Sequence, residues 1–115
     1  MTWMNDNDKL KEECGVFGIF DQDGFSVEEI TYFGLYALQH RGQESSGIAI
    51  SLGDNIIYHK GMGLVPEVFG DKEMQSLKNG KIAVGHVRYS TYGGSYLHNA
   101  QPLVTKYKKG NMALA

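Results

Sequence analysis

The segment from Ser26 to Gly42 limits the possible folds more than any other, because it carries the clearest helical pattern in a chain whose other apolar segments are short. Ser26 and Glu29 fit a capping box, in which each side chain satisfies a free backbone N–H group at the start of a helix. Apolar residues keep helical spacing at positions 27, 30, 33, 37 and 38. The helix is expected to end near His40 and Arg41, with Gly42 in the left-handed position that often follows a helix.

Most of the other apolar segments have the length and composition of strands. Strands are predicted at Gly15–Phe20, Gly47–Leu52, Asn55–His59, Lys81–Tyr89, Leu103–Tyr107 and Asn111–Ala115. The second and third of these flank Gly53 and Asp54, which is a hairpin signal. Pro66–Leu77 is predicted to be a second helix, with Pro66 in its first turn. This order of elements predicts an α+β domain in which helices pack outside sheets.

The size and charge of the chain narrow the function classes. Its 115 residues suffice for one small domain or for part of a larger one. A net charge of −2 gives no electrostatic reason to expect a nucleic-acid partner. No apolar stretch is long enough for a signal peptide or a membrane span, so a cytoplasmic protein without a membrane partner is expected. The single cysteine, Cys14, excludes an internal disulfide and any metal site that needs several cysteines of this chain.

Cys14 stands where a polar leader, residues 1–13, meets the first predicted strand. A cysteine in this position can be a small buried apolar residue. It can also be a nucleophile, which requires a base that generates the thiolate. A histidine brought close by the fold is one candidate base. The other is the α-amine of Cys14 itself, which titrates at about 7.7–8.0 and becomes free if the chain is cut after Glu13.

Four blocks of sequence, in this order, resemble the class II glutamine amidotransferases, whose domain belongs to the N-terminal nucleophile hydrolases. The blocks are CGVFG at 14–18, LQHRGQESSGIAI at 38–50, GHVRYSTYGG at 85–94 and NAQPL at 99–103. The resemblance covers residues 14–115. The segment LQHRGQES resembles the corresponding segment of the branch that starts purine synthesis. The branches that make glucosamine 6-phosphate or asparagine typically carry other residues there.

The resemblance implies a fold and a domain organisation. The family fold is a four-layer αββα sandwich, of which residues 14–115 would form about the first half, the N-terminal part of the amidotransferase domain. Residues 1–13 would be a propeptide that is removed between Glu13 and Cys14. The final apolar run, residues 112–115, has no turn or cap after it, and it is expected to belong to an incomplete domain.

The resemblance also assigns site residues. The thiolate of Cys14 would attack the side-chain amide of glutamine, with its own α-amine as the base. Arg88 would bind the α-carboxylate of glutamine, and Thr91 would add a hydrogen bond to the same substrate. Arg41 would orient the nucleophile, although its position at a predicted helix end is explained equally well by the helix dipole. The four histidines show no metal-ligand spacing and are interpreted as structural or surface residues.

Partners and cofactors follow from the same resemblance. The ammonia released from glutamine would react with phosphoribosyl pyrophosphate in a second domain, in a parent enzyme that is a homo-oligomer. No cofactor is expected within this chain, and Mg²⁺ and the 4Fe–4S cluster of one branch would belong to the remainder. The family's oxyanion hole would lie there too, so the chain by itself is expected to be inactive. Alternatives are another class II amidotransferase, a papain-type hydrolase, or an inert truncated gene product.

Overall fold

A computed structural model describes residues 14–39, 43–89 and 100–115, with the side chains of Gln43, Glu44 and Tyr89 excepted. In chain order the elements are β1 (Cys14–Phe20), α1 (Val27–Leu38), β2 (Gln43–Ser51), β3 (Ile56–Met62), α2 (Val65–Val68), α3 (Asp71–Ser76), β4 (Ile82–Tyr89), β5 (Leu103–Tyr107) and β6 (Gly110–Leu114). This mixture of helices and sheets agrees with the predicted α+β class. Every predicted strand is present, with ends that differ from the prediction by up to four residues.

Strands β1 to β4 form one antiparallel sheet in the order β1-β4-β2-β3, and β5 and β6 form a separate two-stranded sheet. The hairpin predicted around Gly53 and Asp54 joins β2 to β3. Strand β4 comes late in the chain but lies between β1 and β2, so it brings distant parts of the sequence side by side. Directly paired residues share a face of the sheet, and the faces alternate along each strand.

Helix α1 covers one face of the four-stranded sheet, called the helix face here. Glycines allow the close approach: a Cβ atom on Gly85 would lie 2.8 Å from Cγ2 of Thr31, and one on Gly34 would lie 2.5 Å from the ring of Phe17. The core forms between these elements and contains Val27, Leu35, Ile48, Ile50, Ala83 and Val87. Burial of this apolar surface is the main force that holds the helix on the sheet.

The opposite face of the sheet, called the open face, is only partly covered. Residues 100–102 lie on it above Gly47, where the backbone oxygen of Gln101 occupies the space that a Cβ atom would need. Lys60 anchors this segment, because its Nζ atom donates to the carbonyl oxygens of Ala100, at 2.8 Å, and of Pro102, at 3.4 Å.

The predicted start of helix α1 is wrong in its capping. Ser26 has a left-handed backbone, with φ of 50°, and its side chain makes no capping hydrogen bond. An N-cap residue normally has an extended backbone, which points its oxygen at the first free N–H groups, and the left-handed conformation removes that geometry. The helix ends at Leu38, with Gln39 as its C-cap, near the predicted end, and His40, Arg41 and Gly42 lie outside the described residues.

The buried stripe of α1 differs from the predicted one. Val27, Thr31 and Leu35 are fully buried, at four-residue spacing. Ile30 and Phe33, two of the predicted apolar positions, are 38% and 65% exposed. The sheet accepts Thr31 and Leu35 because Gly85 leaves room for both, and the hydroxyl of Thr31 is satisfied by the carbonyl oxygen of Val27 at 2.7 Å.

The second predicted helix, Pro66–Leu77, is in fact two short helices, α2 and α3. The chain is extended at Gly70, a residue with low helix propensity, and this breaks the helix. The break lets Phe69 enter the core, where its ring meets those of Tyr32 and His59 edge-on at 6.5 and 5.5 Å between centroids. Among the described residues, no helix is long and apolar enough to cross a membrane.

Candidate active site

Cys14 and Arg88 are direct neighbours on the open face. They pair across β1 and β4, where opposite Cα atoms in an antiparallel sheet lie about 4.5–5.5 Å apart. Cys14 is exposed and is not part of a disulfide, and Arg88 is half-buried. The interpretation of Cys14 as a small buried apolar residue is therefore wrong for this structure. The pair combines a reachable thiol with a guanidinium that can hold a carboxylate.

The position of the thiol depends on the residue that follows it. A Cβ atom on Gly15 would lie 2.9 Å from Cγ2 of Val87 and 3.1 Å from Cβ of Leu38. Only glycine lets β1 lie this close to both β4 and the last turn of α1. The end of the helix is thus packed beside the start of the strand that carries Cys14.

Strand β2 completes the row on the other side of Arg88. Ser45 pairs with Arg88 and is 2% exposed, and Met62 of β3 pairs with Ser45 in turn. The register of the pairing shifts between Gln43 and Ser45, as it does at a β-bulge or similar irregularity. Bulges re-aim side chains and are common beside active sites. The regular pairing of the strands is therefore interrupted next to the Cys14–Arg88 pair.

Two of the four predicted site residues cannot be compared with this geometry. Arg41 and Thr91 lie outside the described residues. Their roles as the nucleophile-orienting and glutamine-binding residues stay predictions. Of the four site residues, the structure brings together Cys14 and Arg88, which are far apart in sequence.

His86 is a neighbour of this pair that the sequence did not single out. It precedes Arg88 by two residues on β4, so both side chains face the open side, and it is 4% exposed. Burial lowers the pKa of His86 below its ordinary value of 6.5, and the positive charge of Arg88 lowers it further. The alternation of side chains along the predicted strand could have placed His86 beside Arg88.

Lys60 is a second residue that sequence reasoning missed. Its contacts with Ala100 and Pro102 hold residues 100–102 of the NAQPL block on the sheet, close to Gly47 and His86. No sequence signal marks this lysine, since its partners are backbone carbonyls forty or more residues away. Within the described ranges, no group of three or more His, Cys, Asp or Glu side chains could hold a metal ion.

Comparisons with known proteins agree on one family. No family model matches the chain. The amidophosphoribosyltransferase of Synechococcus elongatus is 52% identical over 108 residues, which is 94% of this chain and 22% of that protein. Those of Methanocaldococcus jannaschii and Bacillus subtilis are 52% and 50% identical, over 89% and 92% of this chain. The chain thus spans about a fifth of the length of these relatives.

Solved structures give the same answer. One, described as the allosteric regulatory enzyme of purine biosynthesis, matches with a TM-score of 0.75 and 46% identity over 85% of this chain and 21% of that one. The glutamine phosphoribosylpyrophosphate amidotransferase of B. subtilis, complexed with ADP and GMP, matches with a TM-score of 0.65 and 41% identity over 88% of this chain and 20% of that one. The expected N-terminal nucleophile hydrolase fold is confirmed, as part of the domain. Over the part that it spans, the chain is similar to the N-terminal portion of the amidophosphoribosyltransferases.

Proposed function

We propose that this chain is the glutamine-hydrolysing part of an amidophosphoribosyltransferase. Ammonia from glutamine would form 5-phosphoribosylamine from phosphoribosyl pyrophosphate, the first step of purine synthesis. The observation that carries the proposal is the direct pairing of the exposed Cys14 with Arg88 on one sheet face. The names of the relatives support it, because all of those reported above act in this reaction or this pathway.

The chemistry needs a base at the thiol, and the proposed base is the α-amine of Cys14. Removal of residues 1–13 would free this amine. It would take the proton of the thiol, and the thiolate would attack the amide carbon of the glutamine side chain. The carbon–nitrogen bond then breaks, and the protonated amine returns its proton to the leaving nitrogen, which departs as ammonia. Water would hydrolyse the resulting thioester to glutamate.

Arg88 would hold the other end of the substrate. A guanidinium can donate two parallel hydrogen bonds to a carboxylate. Neighbouring strands lie about 4.8 Å apart, and glutamine separates its α-carbon from its amide by two methylene groups, so one molecule can reach both side chains. We assign Thr91 a further hydrogen bond to glutamine and Arg41 the orientation of Cys14.

The remaining parts of the proposal concern groups outside the described residues. The magnesium ion that accompanies phosphoribosyl pyrophosphate, and the 4Fe–4S cluster of one branch of the family, would be held by other parts of the enzyme. The enzyme would be a cytoplasmic homo-oligomer. The four-layer sandwich would need more chain than residues 14–115 to complete it. No step above uses a metal.

The test is covalent labelling with an electrophilic analogue of glutamine. The protein expressed from its whole gene is incubated with the analogue, and its N-terminus and adducts are identified by mass spectrometry. We expect a mature chain that begins at Cys14, a single adduct on that residue, and protection by glutamine. Cys14→Ala should give no adduct. An adduct on a chain that still carries residues 1–13 would rule out the α-amine as the base.

A second test concerns Arg88. Arg88→Lys keeps the positive charge but loses the two parallel hydrogen bonds to a carboxylate. We expect the KM for glutamine to rise by about 10–100-fold, with a smaller change in kcat, measured by glutamate release. Lys72→Arg, which changes one cation for another on the exposed surface of helix α3, is the control. An unchanged KM in Arg88→Lys would remove Arg88 from the glutamine site.

A further inference from the structure

His86 is a buried polar side chain without a visible reason to be there. It is 4% exposed, and neither Nδ1 nor Nε2 makes a hydrogen bond to any residue that the structure describes. Buried polar groups are nearly always paired, because an unpaired one loses its hydrogen bonds to water and gains nothing in return. We therefore expect the ring nitrogens of His86 to form hydrogen bonds when a ligand occupies the site.

A hydrogen-bond donor and a hydrogen-bond acceptor lie next to His86 on the open face. Arg88 follows it by two residues on β4, which places their Cα atoms about 6–7 Å apart on the same side of the strand. Across the sheet, His86 pairs with Gly47, and the backbone oxygen of Gln101 fills the place of the missing side chain there. The contacts of Lys60 with Ala100 and Pro102 hold that oxygen in position.

A neutral imidazole complements these two neighbours. It carries one N–H donor and one lone-pair acceptor, whereas a guanidinium can only donate and a carbonyl oxygen can only accept. We propose that His86 is a positioning residue of the glutamine site, which bridges the guanidinium of Arg88 and the backbone oxygen of Gln101 and thereby aims Arg88 at the α-carboxylate of glutamine. This inference rests on the proposed function.

The charge state that the bridge requires is the one that its surroundings favour. An imidazolium has no acceptor and would repel the guanidinium. Burial, and then the charge of Arg88, lower the pKa of His86, so the ring is neutral at neutral pH.

The test compares three variants by steady-state glutamate release in the protein expressed from its whole gene. His86→Leu removes both hydrogen bonds, and His86→Gln keeps one donor and one acceptor. His59→Leu is the matched control, since His59 lies on the helix face, where its Nε2 is 3.0 Å from the carbonyl oxygen of Val68. We expect His86→Leu to raise the KM for glutamine about 10–100-fold with a smaller loss of kcat, and His86→Gln to restore most of the affinity. The KM of His59→Leu should equal that of the wild type.

Any other result would contradict the proposed bridge by His86 between Arg88 and Gln101. If the wild type hydrolyses glutamine and His86→Leu keeps its KM, the inference falls and the proposed function stands. An equal rise of KM in His59→Leu would show a general loss of structure and would also overturn the bridge. If the wild type does not hydrolyse glutamine, the proposed function and this inference fail together.

A spectroscopic measurement covers the case in which His86→Leu does not fold. The ¹⁵N resonances of the His86 ring in the wild type at pH 7 report its protonation and its hydrogen bonds. We expect a single neutral tautomer with a slowly exchanging N–H when glutamine or an unreactive analogue is bound. A charged ring, or one with a rapidly exchanging proton in that complex, would overturn the proposal.

Discussion

At the scale of single residues, the site depends on a few side chains that one sheet face places side by side. Cys14 and Arg88 meet because β4 lies next to β1, and Ser45 and His86 are buried beside Arg88. The residue types could be read from the sequence, since a lone cysteine after a polar leader and an arginine in GHVRYST were both predicted site residues. Strand alternation could have placed His86 beside Arg88, but the burial of His86 and the backbone partners of Lys60 could not be read from the sequence.

A prediction on stability concerns Ser46, whose hydroxyl is buried on the helix face without a partner among the described residues. Ser46→Ala removes an unpaired polar group and leaves a side chain of similar size. We expect the free energy of unfolding to rise by about 1 kcal/mol, measured by urea denaturation. Ser76→Ala is the control, because the exposed hydroxyl of Ser76 is already paired with the carbonyl oxygen of Glu73 at 2.6 Å. A destabilised Ser46→Ala would mean that the hydroxyl has a partner in solution.

A second residue-scale prediction concerns pH. The folded state lowers the pKa of His86 from 6.5, so below pH 6.5 the unfolded chain binds a proton that the folded chain does not. The stability attached to His86 is therefore complete above pH 6.5 and is lost as the pH falls towards the folded pKa. We expect the Tm to fall from pH 7 to pH 5 and this fall to be smaller in His86→Gln. Equal pH dependence in both proteins would contradict the burial of a neutral ring.

At the scale of elements, the sequence predicted which segments become strands and the first helix, but not how the helix meets the sheet. The contact is set by Gly85 and Gly34, which let Thr31, Leu35 and Phe17 come close. Helical spacing alone favoured Ile30 and Phe33 as buried residues, and both are exposed. Periodicity finds the helix, but the shape of the partner surface decides which stripe is buried.

Because of this contact, we expect Gly85→Ala to cost more stability than the same change at another strand glycine, Gly18. Gly85→Ala would place its Cβ atom 2.8 Å from Thr31 and 2.9 Å from Leu35, so the helix must shift. We expect a loss of about 1–3 kcal/mol in the free energy of unfolding, measured by denaturant titration. Gly18→Ala is the control, because its nearest contacts would be ordinary ones at 3.8 and 3.9 Å. Similar losses at both positions would argue against close packing at Gly85.

At the scale of the whole molecule, the open face exposes apolar side chains over much of its area. They are Val16, Phe20, Tyr58, Met62 and Ile82. Contiguous apolar surface of this kind is typical of a face that packs against something else. The family fold has two facing sheets, and the open face is the side of this sheet that such packing would cover.

The whole-molecule prediction uses a hydrophobic fluorescent dye. We expect the 115-residue chain to bind the dye, and the double variant Phe20→Ser with Ile82→Ser to bind it less, because these two residues pair on the open face. Phe25→Ser is the control, since Phe25 is 75% exposed but lies outside the sheet. Dye fluorescence that falls equally in the control would show that the open face is not the binding surface.

The sequence by itself determined the order of elements, the hairpin, the family and the identities of the candidate nucleophile and carboxylate-binding residue, because these follow from local patterns and short motifs. The tertiary structure alone decided the burial of Thr31 and Leu35, the break of the second helix at Gly70, the left-handed backbone of Ser26, and the neighbours of His86. The physical reason is that burial and pairing are properties of two surfaces in contact. A linear pattern describes only one of them.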